Sequence, residues 1–332
     1  MSESSFGHEL RRLREQAGLS QRALARRASL DQANISRYER GLQTPPSSTA
    51  AVLDDELGAG GQLRLLATGS AAHLVLDHDE QTRVAEAVQD PRRLDSGAVR
   101  AMALVLAAQR RLDDVLGPEP LLPAVDAQMH LAMRMARQAR APHQAAMAEV
   151  AAEWVQFAGW LRAEAADYGP ALKVLAAADR AAVEIGSGVL AAQVHNFRGY
   201  IGRQRGDWRQ VTSWFIREHY TPGASVHQRI GAAAQAAQGH VRLGDRDAGL
   251  RLVERAEQLL DQAAGEPAPR TAYWLTRTFH ALNLGLTHLA LGDAAAAVDH
   301  LTTGLDGLPV AQRSARWTHE YRAALARARA QQ

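Results

Sequence analysis

The stretch LSQRALARRASLDQANISRYERG, residues 19–41, predicts two short helices joined by a tight turn. Small and apolar side chains recur at the spacing of one helix face, at Leu24, Ala25, Ala28, Leu30, Ile35 and Tyr38. Ser20 and Asp31 are suited to begin the two helices, because their side chains can accept hydrogen bonds from free backbone N–H groups. The helices are expected to run to about Arg27 and Arg40.

Further helices are predicted on both sides of this pair. Residues 6–17 carry apolar side chains at helical spacing, and Gly18 follows as a C-terminal cap. Gly41 is suited to end the second helix of the pair in the same way. After a proline-rich turn, a fourth helix is predicted over residues 49–57, before a glycine-rich boundary at residues 58–61.

Positive charge is concentrated in this first part of the chain. The 332-residue chain has a net charge of +2, and residues 1–44 hold eight arginines against five acidic residues. Lys173 is the only lysine, so arginine is the usual cation throughout the chain and an arginine alone does not indicate a phosphate contact. Five arginines are therefore interpreted as solvated surface: Arg11, Arg12, Arg22, Arg26 and Arg27.

The composition favours helices and gives no sign of catalysis. Hydrophobic residues make up 46% of the chain and aromatic residues only 5%, so the core is expected to consist mainly of Ala, Leu and Val. No alternating run predicts a strand, and the length exceeds that of most single domains. Cysteine is absent, and no histidine pair has metal-ligand spacing. No metal, no cofactor and no enzymatic activity are expected, and no apolar segment suggests a membrane span or leader, so a soluble cytoplasmic protein is predicted.

The segments LRRLREQAGLSQRALA, residues 10–25, and ISRYERGLQTP, residues 35–45, resemble the helix-turn-helix domain of the Xre/Cro/phage-repressor family. The resemblance covers residues 6–57 and implies that the second helix of the pair enters the major groove of double-stranded DNA. The turn of this motif needs a residue that tolerates positive φ, usually glycine. Ser29 stands there in this chain, which is a departure from the family.

The same resemblance assigns DNA contacts to individual residues. The candidates for base contacts are Gln32, Ala33, Asn34 and Arg37. The candidates for phosphate contacts are Gln21, Arg40, Gln43 and Thr44. Arg37 can bind guanine with two hydrogen bonds, Gln32 can pair with adenine, and the Ala33 methyl group suits a thymine methyl. Arg14 and Glu39 fall where the family often has an ion pair between its first helix and the recognition helix.

An internal helical repeat is predicted in the rest of the chain. Its anchors are four aspartates, Asp167, Asp207, Asp245 and Asp293. A small residue lies eight positions before each anchor, at Gly159, Gly199, Ala237 and Gly285. An apolar residue lies eight positions after each anchor, at Leu175, Phe215, Val253 and Leu301. The pattern predicts hairpins whose helices approach at the small residues, with the aspartate capping the second helix and the apolar residue filling the space between hairpins.

The copy GLTHLALGDAAAAVDHLTTGL, residues 285–305, resembles the tetratricopeptide repeat. The anchor spacings of 40, 38 and 48 residues exceed the period of about 34 in that family. The predicted fold is therefore all-α, with an N-terminal helix-turn-helix domain followed by an α-solenoid of tetratricopeptide-like hairpins. The expected domains are residues 1–67 for DNA binding, 68–150 for a helical linker with irregular hairpins and a possible dimer interface, and 151–332 for the repeats.

The repeat resemblance implies that the first helix of each hairpin lines a concave surface. The candidate groove residues are Glu153, Gln156, Trp160, Gln193, Asn196, Tyr200 and Arg203. Gln156 and Asn196 share one register position, where amides of the resembled family bind an extended peptide backbone. The alternative is that these two amides satisfy buried polar groups between helices. The acidic runs at residues 54–56 and 113–114 are interpreted as exposed surface.

These patterns lead to one hypothesis and two alternatives. The chain is predicted to be a DNA-binding transcriptional regulator that binds a palindromic operator as a homodimer, with a solenoid that senses a small molecule or peptide. The first alternative is an antitoxin-like or scaffold protein whose solenoid binds a small protein partner, with DNA binding serving autoregulation. The second is an enzyme in the C-terminal body. No membrane partner is expected.

Overall fold

We describe the chain from a computed structural model over residues 6–43, 45–57, 59, 63 and 78–332. All regular structure in these ranges is helical, and the chain divides into two compact units, residues 1–79 and 80–332. The first unit has helix-turn-helix topology and the second is an array of helical hairpins, so the predicted fold class is confirmed. Within the described ranges, no helix is both long enough and apolar enough to cross a membrane.

The described helices of the first unit are α1 Phe6–Gln16, α2 Gln21–Arg27, α3 Gln32–Glu39 and α4 Ser47–Glu56. Each begins and ends within two residues of its prediction. The Ser20 hydroxyl accepts a hydrogen bond from the Ala23 N–H at 3.1 Å, and the Asp31 carboxylate accepts one from the Ala33 N–H at 3.0 Å. Both predicted N-terminal caps are therefore present.

The turn between α2 and α3 places them across a small apolar core. Ser29 has φ of 53°, so it adopts the left-handed conformation that the motif requires. Leu24 and Ile35 are fully buried in this core, together with Leu53 of α4. On the other side α1 packs so closely on the end of α3 that a Cβ atom at Gly7 would overlap backbone oxygens of α3. One acidic residue was misjudged, since Asp54 is buried and accepts a hydrogen bond from the Leu63 N–H at 2.7 Å.

The helices that lead into and form the second unit are α5 His78–Gln89, α6 Ser96–Leu116, α7 Leu122–Gln138, α8 Gln144–Glu164, α9 Tyr168–Glu184, α10 Gly188–Gln204, α11 Trp208–His219, α12 Val226–Arg242, α13 Arg246–Gln262, α14 Arg277–Leu291, α15 Ala294–Asp306, α16 Val310–Arg313 and α17 His319–Arg329. Short 3-10 turns lie at Pro91–Arg93, Arg270–Ala272 and Arg316–Thr318. The pairs α8–α9, α10–α11, α12–α13 and α14–α15 are the four hairpins of the predicted repeat.

All four hairpins turn in the same way. Each anchor aspartate is the N-cap residue of the second helix of its hairpin. The carboxylates of Asp207, Asp245 and Asp293 accept a hydrogen bond from the backbone N–H three residues later, at 3.0–3.1 Å. Asp167 holds the same position without that bond. The preceding residue has a left-handed backbone in every case, at Ala166, Gly206, Gly244 and Gly292.

The small residues of the repeat lie where the two helices of a hairpin touch. A Cβ atom at Gly199 would come within 2.6 Å of the Phe215 ring, and one at Gly285 within 2.6 Å of Leu301. At Gly159 the corresponding atom belongs to Leu175, at 2.7 Å. The close approach was predicted correctly. The apolar residue, however, packs into its own hairpin against the small residue, because the glycine leaves room for it there.

Residues 80–150 belong to the core of the second unit. Met102 and Leu106 of α6 and Met129 of α7 share one buried cluster with Trp154 of α8. The predicted division between residues 150 and 151 falls inside α8, which runs unbroken from Gln144 to Glu164. The other predicted division, at 67 and 68, lies outside the described residues. The helices α6 and α7 thus extend the array of hairpins at its N-terminal side.

The C-terminal segment folds back onto the first helices of the array. Gln312 donates a hydrogen bond to Asp114 of α6 at 3.1 Å, although the two are 198 residues apart in sequence. Glu320 of α17 accepts two hydrogen bonds from Arg203 of α10, the shorter at 2.6 Å. The Tyr321 hydroxyl donates to Asn283 at 3.0 Å. The Gln312–Asp114 bond thus joins the two ends of the second unit, and the other two contacts attach the C-terminal helix to its middle and to α14.

Candidate DNA-binding surface and ligand cavity

The helix α3 presents a polar face to solvent near its N-terminus. Gln32, Ala33 and Arg37 are exposed and Asn34 is half-buried, while Ile35 and Tyr38 of the same helix are buried in the core. Residues 33 and 37 are four positions apart and therefore lie on one face. The structure thus places Ala33 and Arg37 on one exposed face of α3, with Gln32 exposed to one side of it and Asn34 half-buried on the other.

Arg37 is the cation best placed for recognition on that face. Its guanidinium makes no hydrogen bond or ion pair with any side chain or backbone group that the structure describes. Arg40, by contrast, bonds back to its own helix, with Nε donating to the Ser36 carbonyl oxygen at 3.1 Å. Gln43 is exposed just beyond the helix, and Thr44 lies outside the described residues.

A bidentate ion pair fixes α3 relative to α1. Arg14 Nε lies 2.5 Å from Glu39 Oε1, and Arg14 Nη2 lies 3.0 Å from Glu39 Oε2. The third guanidinium nitrogen donates to the Leu19 carbonyl oxygen at 2.9 Å. Only 10% of the Arg14 side chain and 4% of the Glu39 side chain are exposed. Arg14 and Glu39, which sequence reasoning paired, therefore meet at the base of the recognition helix.

Gln21, at the first position of α2, belongs to the same network. Its amide donates to Glu39 Oε2 at 2.8 Å, and the residue is half-buried. An amide group has two N–H donors, so the second remains available for a phosphate. The ion pair thus orients Gln21 as well as α3.

A second site lies inside the array of hairpins, in a cavity of about 720 Å³ including its mouth. Its wall is built from α6, α8, α10 and α12, from residues 273–274 and the start of α14, and from the C-terminal segment. The polar lining residues are Arg110, Asp113, Asp114, Gln156, Asn196, Arg203, Gln235 and Glu320. The C-terminal segment contributes Trp317, Glu320 and Tyr321 to the wall and thus partly encloses this space.

Aromatic rings form a continuous part of the cavity wall. The Trp160 ring lies 4.7 Å from that of Phe197 and 5.1 Å from that of Tyr200, measured between centroids. Phe197 in turn stacks on Trp274 at 6.2 Å. Aromatic residues are 5% of the chain, so their concentration here marks the cavity as the most aromatic region of the described structure.

Both arginines of the cavity are already paired. Arg110 Nη1 donates to Glu153 at 2.9 Å, and Arg203 binds Glu320 and also donates to Gln235. The Arg203 guanidinium lies 5.7 Å from the centroid of the Tyr200 ring. The positive charge of the lining is therefore neutralised within the wall.

Unlike the arginines, Asp113 and Asp114 are bonded to neutral groups and not to an opposite charge. Asp113 Oδ2 accepts a hydrogen bond from Trp160 Nε1 at 2.9 Å, and Asp114 Oδ2 accepts one from the Tyr273 hydroxyl at 2.9 Å. Burial raises the pKa of Asp113 to about 7. Burial and the nearby Asp113 together raise the pKa of Glu164 to about 9. In the neutral pH range this pair of carboxyls therefore retains a proton.

The structure places some of the predicted groove residues in the cavity wall and others outside it. Five of them line the cavity, namely Gln156, Trp160, Asn196, Tyr200 and Arg203. Glu153 contributes only through its ion pair with Arg110, and Gln193 is buried beside Gln228, 3.4 Å away. Asn196 donates to the buried carboxylate of Glu218 at 3.1–3.2 Å, as the alternative interpretation expected. Gln156 Nε2 has no hydrogen-bond partner in the described chain.

Asp113 and Asp114 correct the sequence interpretation, which took them for exposed surface. They face inward because α6 continues its buried stripe of Val99, Met102 and Leu106 with Arg110 and Asp113. The spacing of three or four residues along this stripe was the available indication. Where the described residues are concerned, no group of three or more His, Asp or Glu side chains is arranged to hold a metal ion.

Comparison with known proteins concerns the first unit alone. Residues 5–67 match the family model described as a helix-turn-helix domain. No curated protein and no solved structure matches the chain. The match and the geometry of α2 and α3 agree, so the first unit is a helix-turn-helix domain, which indicates a DNA-binding regulator.

Proposed function

We propose that this protein is a sequence-specific transcriptional regulator of the Xre/Cro type. In this proposal α3 enters the major groove of double-stranded DNA, with Gln32, Ala33, Asn34 and Arg37 at the base edges. The observation that carries it is the exposed face of α3, with an unpaired Arg37, held in place by the buried Arg14–Glu39 ion pair. Gln21, Arg40, Gln43 and Thr44 are proposed to contact phosphates.

We further propose that the regulator binds a palindromic operator as a homodimer. A single small domain makes few base contacts, whereas two domains on half-sites about 34 Å apart combine their contacts. The end of α6 offers a surface for such an association, because Leu112, Val115 and Leu116 are 43–63% exposed there. Apolar residues clustered on a surface are typical of protein interfaces.

The second unit is proposed to be a tetratricopeptide-like sensor of a small molecule. Support comes from the aromatic cavity, which the C-terminal segment partly covers through the contacts of Gln312 and Glu320. A ligand in the cavity would change DNA occupancy through its different affinity for two arrangements of the dimer. The proposal describes a binding protein and assigns no catalysis to the cavity.

The test is selection of DNA by the full chain from a random-sequence library, followed by electrophoretic shifts of the selected site. Wild type is compared with Arg37→Ala and with the matched control Arg11→Ala, which removes an exposed arginine from α1. We expect Arg37→Ala to weaken specific binding by about 1–3 kcal/mol per half-site and to relax the preference at one base pair. Arg11→Ala is expected to retain both affinity and preference.

Two results would count against the proposal. If the wild type selects no consensus DNA sequence at any salt concentration, the domain does not bind DNA sequence-specifically. A protein partner for the second unit then becomes the better hypothesis. If both variants lose affinity equally, binding depends on overall charge and not on the α3 face.

A further inference from the structure

The inference concerns the Asp113 carboxylate, which lies in the cavity wall without a cation beside it. Asp113 is 8% exposed, and its Oδ1 atom is buried and accepts no hydrogen bond from any N–H or O–H group of the described residues. The neighbouring Glu164 is 4% exposed, and its Oε2 atom is likewise buried without a hydrogen-bond partner among the described residues. Each of these oxygens can be satisfied by the other carboxyl group only when the two share a proton.

The surrounding charges do not supply the missing partner. Arg110 is held by Glu153 and Arg203 by Glu320, so both guanidiniums of the lining are committed. Asp114 receives hydrogen bonds from neutral groups only, the Tyr273 hydroxyl and the Gln312 amide. The cavity therefore has an excess of negative charge. A buried carboxylate without a cation is costly, so a cationic group that enters is favoured electrostatically.

The aromatic wall suits the same kind of ligand. Trp160 donates its indole N–H to Asp113, which places the ring and the carboxylate side by side. The Tyr200 and Phe197 rings continue from it. Organic cations bind to the faces of such rings, while an apolar frame is buried against them.

We propose that the cavity binds an organic cation, an amine or guanidine on an apolar frame, whose charged group bonds to Asp113 and whose frame lies against Trp160 and its neighbouring rings. Describing this ligand as the signal rests on the proposed regulatory function. Its binding does not, because it takes place in the second unit and can be measured without DNA.

The experiment titrates the full chain with three probes of similar size, following tryptophan fluorescence and calorimetry. The probes are the cation 2-phenylethylamine, the neutral 2-phenylethanol and the anion 3-phenylpropionate. We expect the amine to bind at least tenfold more tightly than the alcohol, and the anion to bind least. Asp113→Asn should weaken the binding of the amine at least tenfold and leave the affinity for the alcohol unchanged, because only the charge of the side chain is removed.

The controls separate this proposal from failure of folding and from failure of the proposed function. Asp247→Asn removes an exposed acid from α13 and should leave all three affinities unchanged. Circular dichroism checks the fold of each variant, and Glu164→Gln provides a second test if Asp113→Asn does not fold. Equal affinity for amine and alcohol, preference for the anion, or no saturable binding of the amine at millimolar concentration overturns the proposal. DNA selection that succeeds while amine binding fails leaves the regulator intact and rejects only the ligand class.

Discussion

Removing one partner of the Arg14–Glu39 ion pair should destabilise the first unit more than removing both. Arg14→Met leaves the Glu39 carboxylate buried with only the Gln21 amide as a partner. Glu39→Met leaves the buried Arg14 guanidinium with the Leu19 carbonyl group at 2.9 Å and a longer contact to the exposed Glu15 carboxylate at 3.4 Å. Each single change should cost about 3 kcal/mol, the lower end for a broken buried pair, because each remaining side chain keeps some polar contacts. The double Met variant should cost about 1 kcal/mol, because two apolar side chains of similar length fill the same space.

The assay has to distinguish the two units of the chain. All six tryptophans lie between residues 154 and 317, so their fluorescence reports the second unit and serves as the internal control. Amide hydrogen exchange in α1, α2 and α3, read by mass spectrometry, gives the free energy of opening of the first unit. Additive costs, with the double variant as unstable as the two single changes combined, would refute the view that the two charges depend on each other.

Three further predictions concern strain, packing and pH. Ser29→Gly should stabilise the first unit by about 1 kcal/mol in the hydrogen-exchange assay, because glycine adopts the left-handed backbone without the cost of a Cβ atom, whereas Ser29→Ala should bring no gain. Gly199→Ala should destabilise the second unit by about 1–3 kcal/mol in urea unfolding followed by fluorescence, because the added carbon would lie 2.6 Å from the Phe215 ring. The control Gly169→Ala meets no atom within 4 Å and should cost nothing, so an equal loss there would contradict the packing argument. The stability of the second unit should also fall between about pH 5 and pH 9 more steeply than that of an Asp113→Asn, Glu164→Gln double variant. Both carboxyls have pKa values raised above those of the unfolded chain, so their contribution is full at low pH and is lost as they ionise. If the stability of the wild type and of the double variant changed with pH in parallel, the two carboxyl groups would not retain a proton in the folded state.

The helix-turn-helix unit and the hairpin turns could be predicted because their information is local. Ser20 and Asp31 act on backbone groups two or three residues away, and the aspartate anchors cap helices in the same short-range manner. The glycine before three of those aspartates is an equally local marker that the sequence analysis did not use. Such features need no knowledge of the rest of the chain.

The cavity could be predicted only in part, because it depends on contacts between distant segments. Five groove residues follow from the repeat, since hairpin register decides which face of α8 and α10 points inward. Asp113 and Asp114 lie outside the repeat, and no pattern in α6 alone reveals that Tyr273 and Gln312 will meet them. The closing segment follows the last anchor and has no repeat register of its own.

The fold-back of the C-terminal segment has a consequence for how this protein can evolve. In an open solenoid each hairpin touches only its neighbours, so lineages can gain or lose a repeat at little cost. Here Gln312 must reach Asp114 and Glu320 must reach Arg203, and one additional hairpin between α11 and α16 would carry both pairs out of reach. The number of hairpins is therefore fixed by closure. Homologues that keep this cavity should differ in loop length and side chains but not in repeat count, whereas those with an altered count should have lost both pairings together.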